Sequence, residues 1–576
     1  MKGKAIILLS GFLILSFSIV YGQSGKSTDS YYQTSEVQPL MQQYEADKGS
    51  LSRFYTITNS PERRIRFMAF NKDYLTQLES LNFEKMKTDS KVDYLLLKRQ
   101  ISNELFLLDK EEKEFQQVSP YFPFAAGIYE LEKIRRRGAH VNSIDLSKQL
   151  SEWQKQIQNL SSKIISAENI DLKIAIRAEA TATGLKQALK SVFDFYYGYD
   201  PEFTYWMQQP YKNLDSSLSA YALLLKSKGN KESLQKPDAS GIVGTPIGRE
   251  ELMRQLQFEM INYTPEELVD IANKEFAWCD AEMLKASNEM GFGNDWKAAL
   301  EKVKNSFVPV GKQPEMIMDL YNQSIDFIKK NDLVTIPPIA EETWRMVMMS
   351  PKQQLVSPFF LGGEQLMISY PTNTMDEDAK LMSMRGNNPH FSRATVHHEL
   401  IAGHHLQGFM NDRYKPYRNY FTPFWTEGWS LYWEFILWDM NFPRSPEDKV
   451  GMLFWRMHRC ARIIFSLNYH LGNWTPQECI DFLVNRVGHE RANAEGEVRR
   501  SFTGGYGPLY QLAYMTGAFQ FYELKKELVD SKKMSYKQFH DAILKENNMP
   551  VEMVRAILLK QDLKKDYKTN WRFYNR

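Results

Sequence analysis

Three features of the chain predict a large, mainly α-helical protein in two lobes: its length, the three- and four-residue spacing of its apolar side chains, and its repeated helix-start signals. Its 576 residues exceed what one compact core usually fills. Hydrophobic residues make up 43% and charged residues 25%, which is enough apolar surface to offset chain entropy and excludes a mainly disordered chain. Lys and Arg number 72 against 70 Asp and Glu, and a net charge of +2 spread over this length gathers no phosphate backbone. Nucleic acid is therefore not an expected partner. The basic run Arg135-Arg136-Arg137 reads as the charged face of a helix.

At the N-terminus, Lys2 and Lys4 precede an apolar run from Ala5 to Val20 and a small-residue exit at Tyr21-Gly22-Gln23, the pattern of a secretory signal over residues 1–22. The run is shorter than the roughly 20 apolar residues that span a bilayer, so export is expected, with no membrane span left after cleavage. The mature chain is then periplasmic or extracellular. Helical periodicity starts at Val92-Asp93-Tyr94-Leu95-Leu96 and continues through Ile101, Leu105 and Leu108; a second long helical stretch covers about Asp145 to Tyr197. The Gly-, Pro-, Lys- and Ser-rich segment from Gly229 to Gly248 reads as a linker. It sets the expected lobes at 23–237 and 238–576. Capping boxes with Pro at the first helical position open helices at Thr264, Ser445 and Thr475. The exception to helix is Leu355 to Tyr370, where Pro358, Gly362 and Gly363 separate short apolar runs, a hairpin or a pair of edge strands. The part from Leu366 to Tyr370 is a candidate for pairing with an extended peptide backbone. Cys279, Cys460 and Cys479 allow at most one bridge, Cys460 to Cys479 closing the shorter loop, and no thiolate metal site.

The chemistry concentrates in Val396-His397-His398-Glu399-Leu400-Ile401-Ala402-Gly403-His404-His405-Leu406-Gln407, which holds four of the ten histidines. Imidazole nitrogens suit a borderline cation such as Zn2+, and a carboxylate beside the first ligand can take a proton from an attacking water. The spacing differs from the H-E-x-x-H zinc helix, because His404 and His405 stand six and seven positions beyond His398. At about 100° per residue, i and i+6 point to nearly opposite sides of a straight helix. Gly403 therefore predicts a bulge or break that turns His404 back toward His398. His405 keeps the right face of a regular helix but sits about 10 Å along the axis, so His404 is the preferred ligand and His405 the alternative. A third ligand is expected at Glu427, in Thr426-Glu427-Gly428-Trp429-Ser430-Leu431-Tyr432-Trp433-Glu434, on a helix that returns antiparallel to the first. Glu434 shares the face of Glu427. It is read first as an ordinary solvated or salt-bridged glutamate, and second as a group that orients a ligand histidine.

The chain resembles the bacterial domain-of-unknown-function 885 family, whose pattern H-E-x-x-P-G-H-x-x-Q followed by E-G-W-x-x-Y-x-E is met by His398 to Gln407 and Glu427 to Glu434. The resemblance extends through Pro246-Ile247-Gly248, the Thr264 helix, His470 to Trp474, Glu497 to Arg500, Pro508 to Gly517 and Phe539-His540-Asp541. Ala402 stands where the pattern has Pro, and Tyr510 where it has Gln. The family looks like the mostly helical gluzincin-type metallopeptidases, which implies a zincin-like architecture with zinc on two histidines and a downstream glutamate.

On that reading His398, His404 and Glu427 hold Zn2+, Glu399 is the general base, and a peptide is the substrate. Tyr514, at a family position, is the expected donor to the developing oxyanion, with Tyr510 and His470 in reserve. Arg500 is a candidate for a substrate carboxylate, although an ion pair with Glu497 is as good an account of it. His397, His458 and His489 are expected to be structural. Two other functions stay open: a metal-dependent hydrolase of non-peptide amides or esters, and an inactive binding protein on a peptidase scaffold.

Overall fold

The computed structural model describes residues 35–166, 169–230, 238–354, 357, 359–418 and 420–574. The signal segment, the expected lobe boundary at Pro237 and the Leu355-Val356 run lie outside these. The protein is mainly helical, as its periodicity predicts. Helices begin before Val92: Gln38–Phe54 and Pro61–Glu79 precede the 31-residue Thr88–Val118. The stretch read as one helix from Asp145 to Tyr197 is two, Ser143–Ser166 and Leu172–Tyr196. The second starts afresh because the Asp171 carboxylate accepts from the amides of Lys173 and Ile174.

Local capping chemistry sets many of the starts. Thr264 and Thr475 form complete capping boxes with Glu267 and Glu478. Ser445 accepts from the Asp448 amide, but the Asp448 carboxylate is engaged elsewhere, with His390 Nδ1 at 2.8 Å and the Arg444 amide at 3.0 Å. A further box, Ser535 with Gln538, opens Tyr536–Leu544.

Buried apolar side chains form two clusters. The smaller joins the end of Thr88–Val118 to Ala125–Arg135, Ser143–Ser166, Leu172–Tyr196 and Pro201–Ser227. The larger takes residues from Val37 to Ile101 together with the chain from Ile242 to Phe573. At its centre lie four helices that carry the site: Pro389–Glu399, Pro423–Asp439, Pro446–His470 and Tyr510–Lys525, called here the histidine, glutamate, arginine and tyrosine helices. The glutamate helix is buried on all sides, with Trp425, Trp429 and Trp433 fully enclosed, as a helix apolar all round must be. It meets the tyrosine helix at Gly428 and Gly517, where the two backbones approach too closely for any Cβ.

Gln365–Ile368 is a strand, but its ladder partner is Arg345–Met348, running parallel; the apolar run before it meets it at one position only. Leu361 and Met367 form a single antiparallel bridge, which occupies the Met367 amide and carbonyl and so closes that edge to an added strand there. The three thiols are buried and free, with no bridge between Cys460 and Cys479. No described helix is long and apolar enough to cross a membrane.

Candidate metal centre

The histidine helix starts at Asn388, whose side chain accepts from the amides of His390 and Phe391, with Pro389 at the first helical position. It ends at Glu399. Residues 400–403 then break the path, and a new helix begins at His404. The break is wider than a bulge at Gly403 alone. Leu400 leaves helical geometry at φ −106° and ψ −108°, and the Ile401–Ala402 peptide is cis. Gly403 is required by close approach: a Cβ there would lie 1.8 Å from the His398 carbonyl oxygen. The turn is tied down by the Gly403 amide donating to His397 O at 3.0 Å and the Trp429 indole donating to Ala402 O at 2.8 Å.

The consequence is the one that irregular spacing demands. The rings of His398 and His404 come to 5.0 Å between centroids, at 82° to one another. Glu427, from the glutamate helix, brings Oε2 to 3.2 Å from His404 Nε2 and 3.7 Å from His398 Nε2. One ligand atom from each of His398, His404 and Glu427 lies within 4.8 Å of the other two. His405 points away and donates Nε2–H to Ala340 O at 2.7 Å, so the choice between His404 and His405 falls to His404.

Glu434 is neither solvated nor peripheral. Its buried Oε1 accepts from His398 Nδ1 at 2.8 Å and from Arg459 at 3.4 Å. Because a carboxylate only accepts, Nδ1 carries a hydrogen and Nε2 is the nitrogen turned toward the cluster. Tyr510 donates to Glu427 Oε1, which fixes that carboxylate and leaves Oε2 facing the two imidazoles. Its hydroxyl hydrogen is thus engaged with Glu427, and Tyr510 lines the cavity beside this cluster.

Electrostatics follow from burial and pairing. Burial alone would push the His398 imidazole down, but Glu427 and Glu434 outweigh it and hold its pKa up to about 9. Burial would raise the Glu427 carboxyl, yet His404 and His398 keep it well below the usual carboxylate range. A cation entering here displaces the His398 proton. Two imidazole nitrogens and a buried carboxylate oxygen with no other partner form the N, N, O donor set of hydrolytic zinc sites, so the residues present fit a zinc ion.

Glu399 lies beside this set, Oε2 4.0 Å from His404 Nε2, and burial raises its carboxyl above the ordinary value. Gly362 packs on it so tightly that a Cβ there would fall 2.3 Å from Glu399 Oε2, and the Gly363 amide donates to Glu399 O at 3.2 Å. Tyr514 stacks on His398 with centroids 6.2 Å apart, and burial holds its phenol protonated. These groups line a cavity of about 450 Å³. Arg500 lines it too and is paired with Glu497 at 2.6 Å, the ion pair that the sequence offered for it. His470 does not line it; its ring packs on Tyr469 and Phe502. His397 donates to Arg393 O at 3.1 Å, and His458 and His489 share a hydrogen bond at 2.8 Å. All three are buried among protein groups, apart from the cavity.

Two charged residues of the cavity escaped the sequence reading, Arg459 and Arg462. Their signal was present: Arg456, Arg459 and Arg462 recur at three-residue steps through the mostly apolar stretch from Val450 to Leu467, and arginines are seldom buried without a specific partner.

Fold and site together define a helical protein with a buried two-histidine, one-glutamate cluster beside a carboxylate in a cavity. The chain belongs to the family of bacterial proteins of unknown function DUF885, which matches residues 55–558. Two solved structures share the fold. One, a candidate lipoprotein of unknown function from Shewanella oneidensis, is 17% identical with a TM-score of 0.65 over 90% of this chain and 99% of its own. The other, a candidate lipoprotein from Colwellia psychrerythraea, is 15% identical with a TM-score of 0.55 over 90% of this chain and 98% of its own. No curated protein matches the chain.

Proposed function

We propose that this protein is an exported zinc-dependent peptidase. The observation that carries the reading is the convergence of His398, His404 and Glu427 from separate helical segments, with Glu399 at the edge of the same cluster. His398, His404 and Glu427 would hold the ion. A zinc ion held there supplies Lewis acidity, which makes water nucleophilic near neutral pH and polarises a carbonyl.

The chain's own residues do the rest. Glu434 fixes the His398 tautomer and Tyr510 fixes the Glu427 carboxylate, so the ligand atoms are aimed in advance. Glu399 accepts the proton of the attacking water and hands it to the leaving amine, and burial raises its carboxyl above the ordinary value, which makes it a better proton acceptor. Tyr514 donates its phenol hydrogen to the developing oxyanion. Export is supported by the apolar N-terminal run of the sequence and by the description of both similar structures as candidate lipoproteins.

The test is peptide hydrolysis by the zinc-loaded protein and by its Glu399→Gln variant. Hydrolysis lost in Glu399→Gln with zinc retained supports the reading. Full activity in that variant refutes the assigned base, and cleavage of small acyl amides without any cleavage of peptides refutes the peptide substrate.

A further inference from the structure

The same cavity carries three guanidinium groups that water activation does not use. Arg459 and Arg462 lie one turn apart on the arginine helix, 4% and 2% exposed, and Arg500 comes from the helix Arg491–Phe502. Arg459 pairs with Glu434 at 3.4 Å, whereas Arg462 and Arg500 share Glu497, each at 2.6 Å. The two carboxylates are shared, Glu434 with His398 and Glu497 between two arginines, while Glu399 and Glu427 lie on the zinc side of the same cavity. Each guanidinium also keeps a buried N–H without a protein acceptor: Arg459 Nε, Arg462 Nη1 and Arg500 Nε. Unmet guanidinium donors are costly inside a protein, and three of them on groups that line one cavity describe a receptor for an anion with planar, forked oxygens.

The position of that receptor relative to the zinc ligands limits what the anion can be. Tyr514 bridges the two: its ring stacks on His398 at 6.2 Å, with the Arg462 guanidinium 4.3 Å and the Arg459 guanidinium 4.8 Å from its centroid. Arg462 therefore lies within about 10 Å of the His398 ring, no more than about three residues of extended chain.

Resting on the peptidase reading, we propose that Arg459, Arg462 and Arg500 bind the terminal α-carboxylate of a peptide, so that the protein removes short fragments from C-termini. A free carboxylate has the negative charge and the two-oxygen fork of acceptors that these donors lack. An acidic side chain offers the same chemistry and is the source to be told apart.

The experiment measures binding to the zinc-loaded Glu399→Gln protein by calorimetry, with three peptides otherwise of one neutral sequence: free acid, C-terminal amide, and amide with glutamate as the last residue. The free acid is expected to bind about 30-fold or more tighter than either amide, the range for charge-assisted hydrogen bonds. Arg500→Gln, added to that protein, should cut the ratio to a few-fold, and Arg500→Lys should restore part of it. Equal binding of acid and amide, an amide with glutamate as tight as the free acid, or no binding of the acid overturns the proposal. Hydrolysis by the wild-type protein separates the two readings. Acid-selective binding without hydrolysis of any peptide sinks the peptidase and keeps the anion site, whereas hydrolysis of acid and amide alike, with equal binding, does the reverse.

Discussion

At Gly517 the tyrosine helix passes so near the glutamate helix that a Cβ would lie 2.1 Å from the Phe424 carbonyl oxygen and 2.8 Å from the Gly428 Cα. Both neighbours are backbone, so neither can swing aside, and Gly517→Ala must separate the helices. Even close carbon–oxygen contacts across packed backbones sit near 3.3 Å, which sets the displacement at about 1 Å. Overpacking of this kind costs about 1–3 kcal/mol and should lower the melting temperature by a few degrees in a chain this size. The larger effect is at the site, because Glu427 adjoins Gly428 and Tyr514 lies one turn before Gly517. A metal tolerates ligand distances only within about 0.2 Å, and a misplacement near 1 Å costs on the order of 100-fold in rate. Gly517→Ala should therefore weaken zinc binding at least about tenfold in a chelator competition and cut peptide hydrolysis about 100-fold. Gly184→Ala is the control: its Cβ meets nothing nearer than 3.9 Å, and alanine in that helix should be neutral or stabilising by up to about 1 kcal/mol. Unchanged melting and unchanged zinc affinity in Gly517→Ala would refute the claim that this crossing sets the site.

Gly362→Ala drives a Cβ to 2.3 Å from Glu399 Oε2 and 2.4 Å from its carbonyl oxygen, so hydrolysis should fall roughly 10- to 100-fold while zinc content, measured by elemental analysis, stays the same. Tyr510→Phe removes the donor to Glu427 Oε1 and should weaken zinc binding about 10- to 100-fold by competition with a chelator. Acid should destabilise the fold through His540, whose Nδ1 donates to Leu333 O and whose Nε2 accepts from Tyr432. Burial pushes its pKa down to about 3 from an ordinary 6.5, so the unfolded chain takes up the proton first as pH falls. Stability is lost from pH 6.5 downward, by about 2 kcal/mol at pH 5, levelling near the folded value. In urea titrations, His540→Gln should flatten the pH dependence across that window by the share of one proton.

Helix starts were legible because they are local: Thr264 and Thr475 cap through residues three positions on, whatever the tertiary setting. The grouping of His398, His404 and Glu427 was legible for a similar reason. Gly403 is the one residue between His398 and His404 that admits a sharp break, and Glu427 and Glu434 share a face seven residues apart. What stayed hidden depends on distant partners. The extent of the break, from Leu400 to Gly403, answers to the Trp429 indole on another helix. The Arg345–Met348 strand lacks the alternation of a half-buried strand and exists because Gln365–Ile368 lies beside it. Glu434, expected to be solvated or salt-bridged, is salt-bridged to Arg459 but buried; its burial follows from a helix enclosed on all sides, which Trp425, Trp429 and Trp433 already announced.

Zinc titration of the metal-free protein beside His404→Ala addresses the central claim most directly. One tightly bound ion per chain, lost or weakened by orders of magnitude in His404→Ala, is the predicted result. Binding that is absent in the wild-type protein, or untouched by His404→Ala, would contradict it.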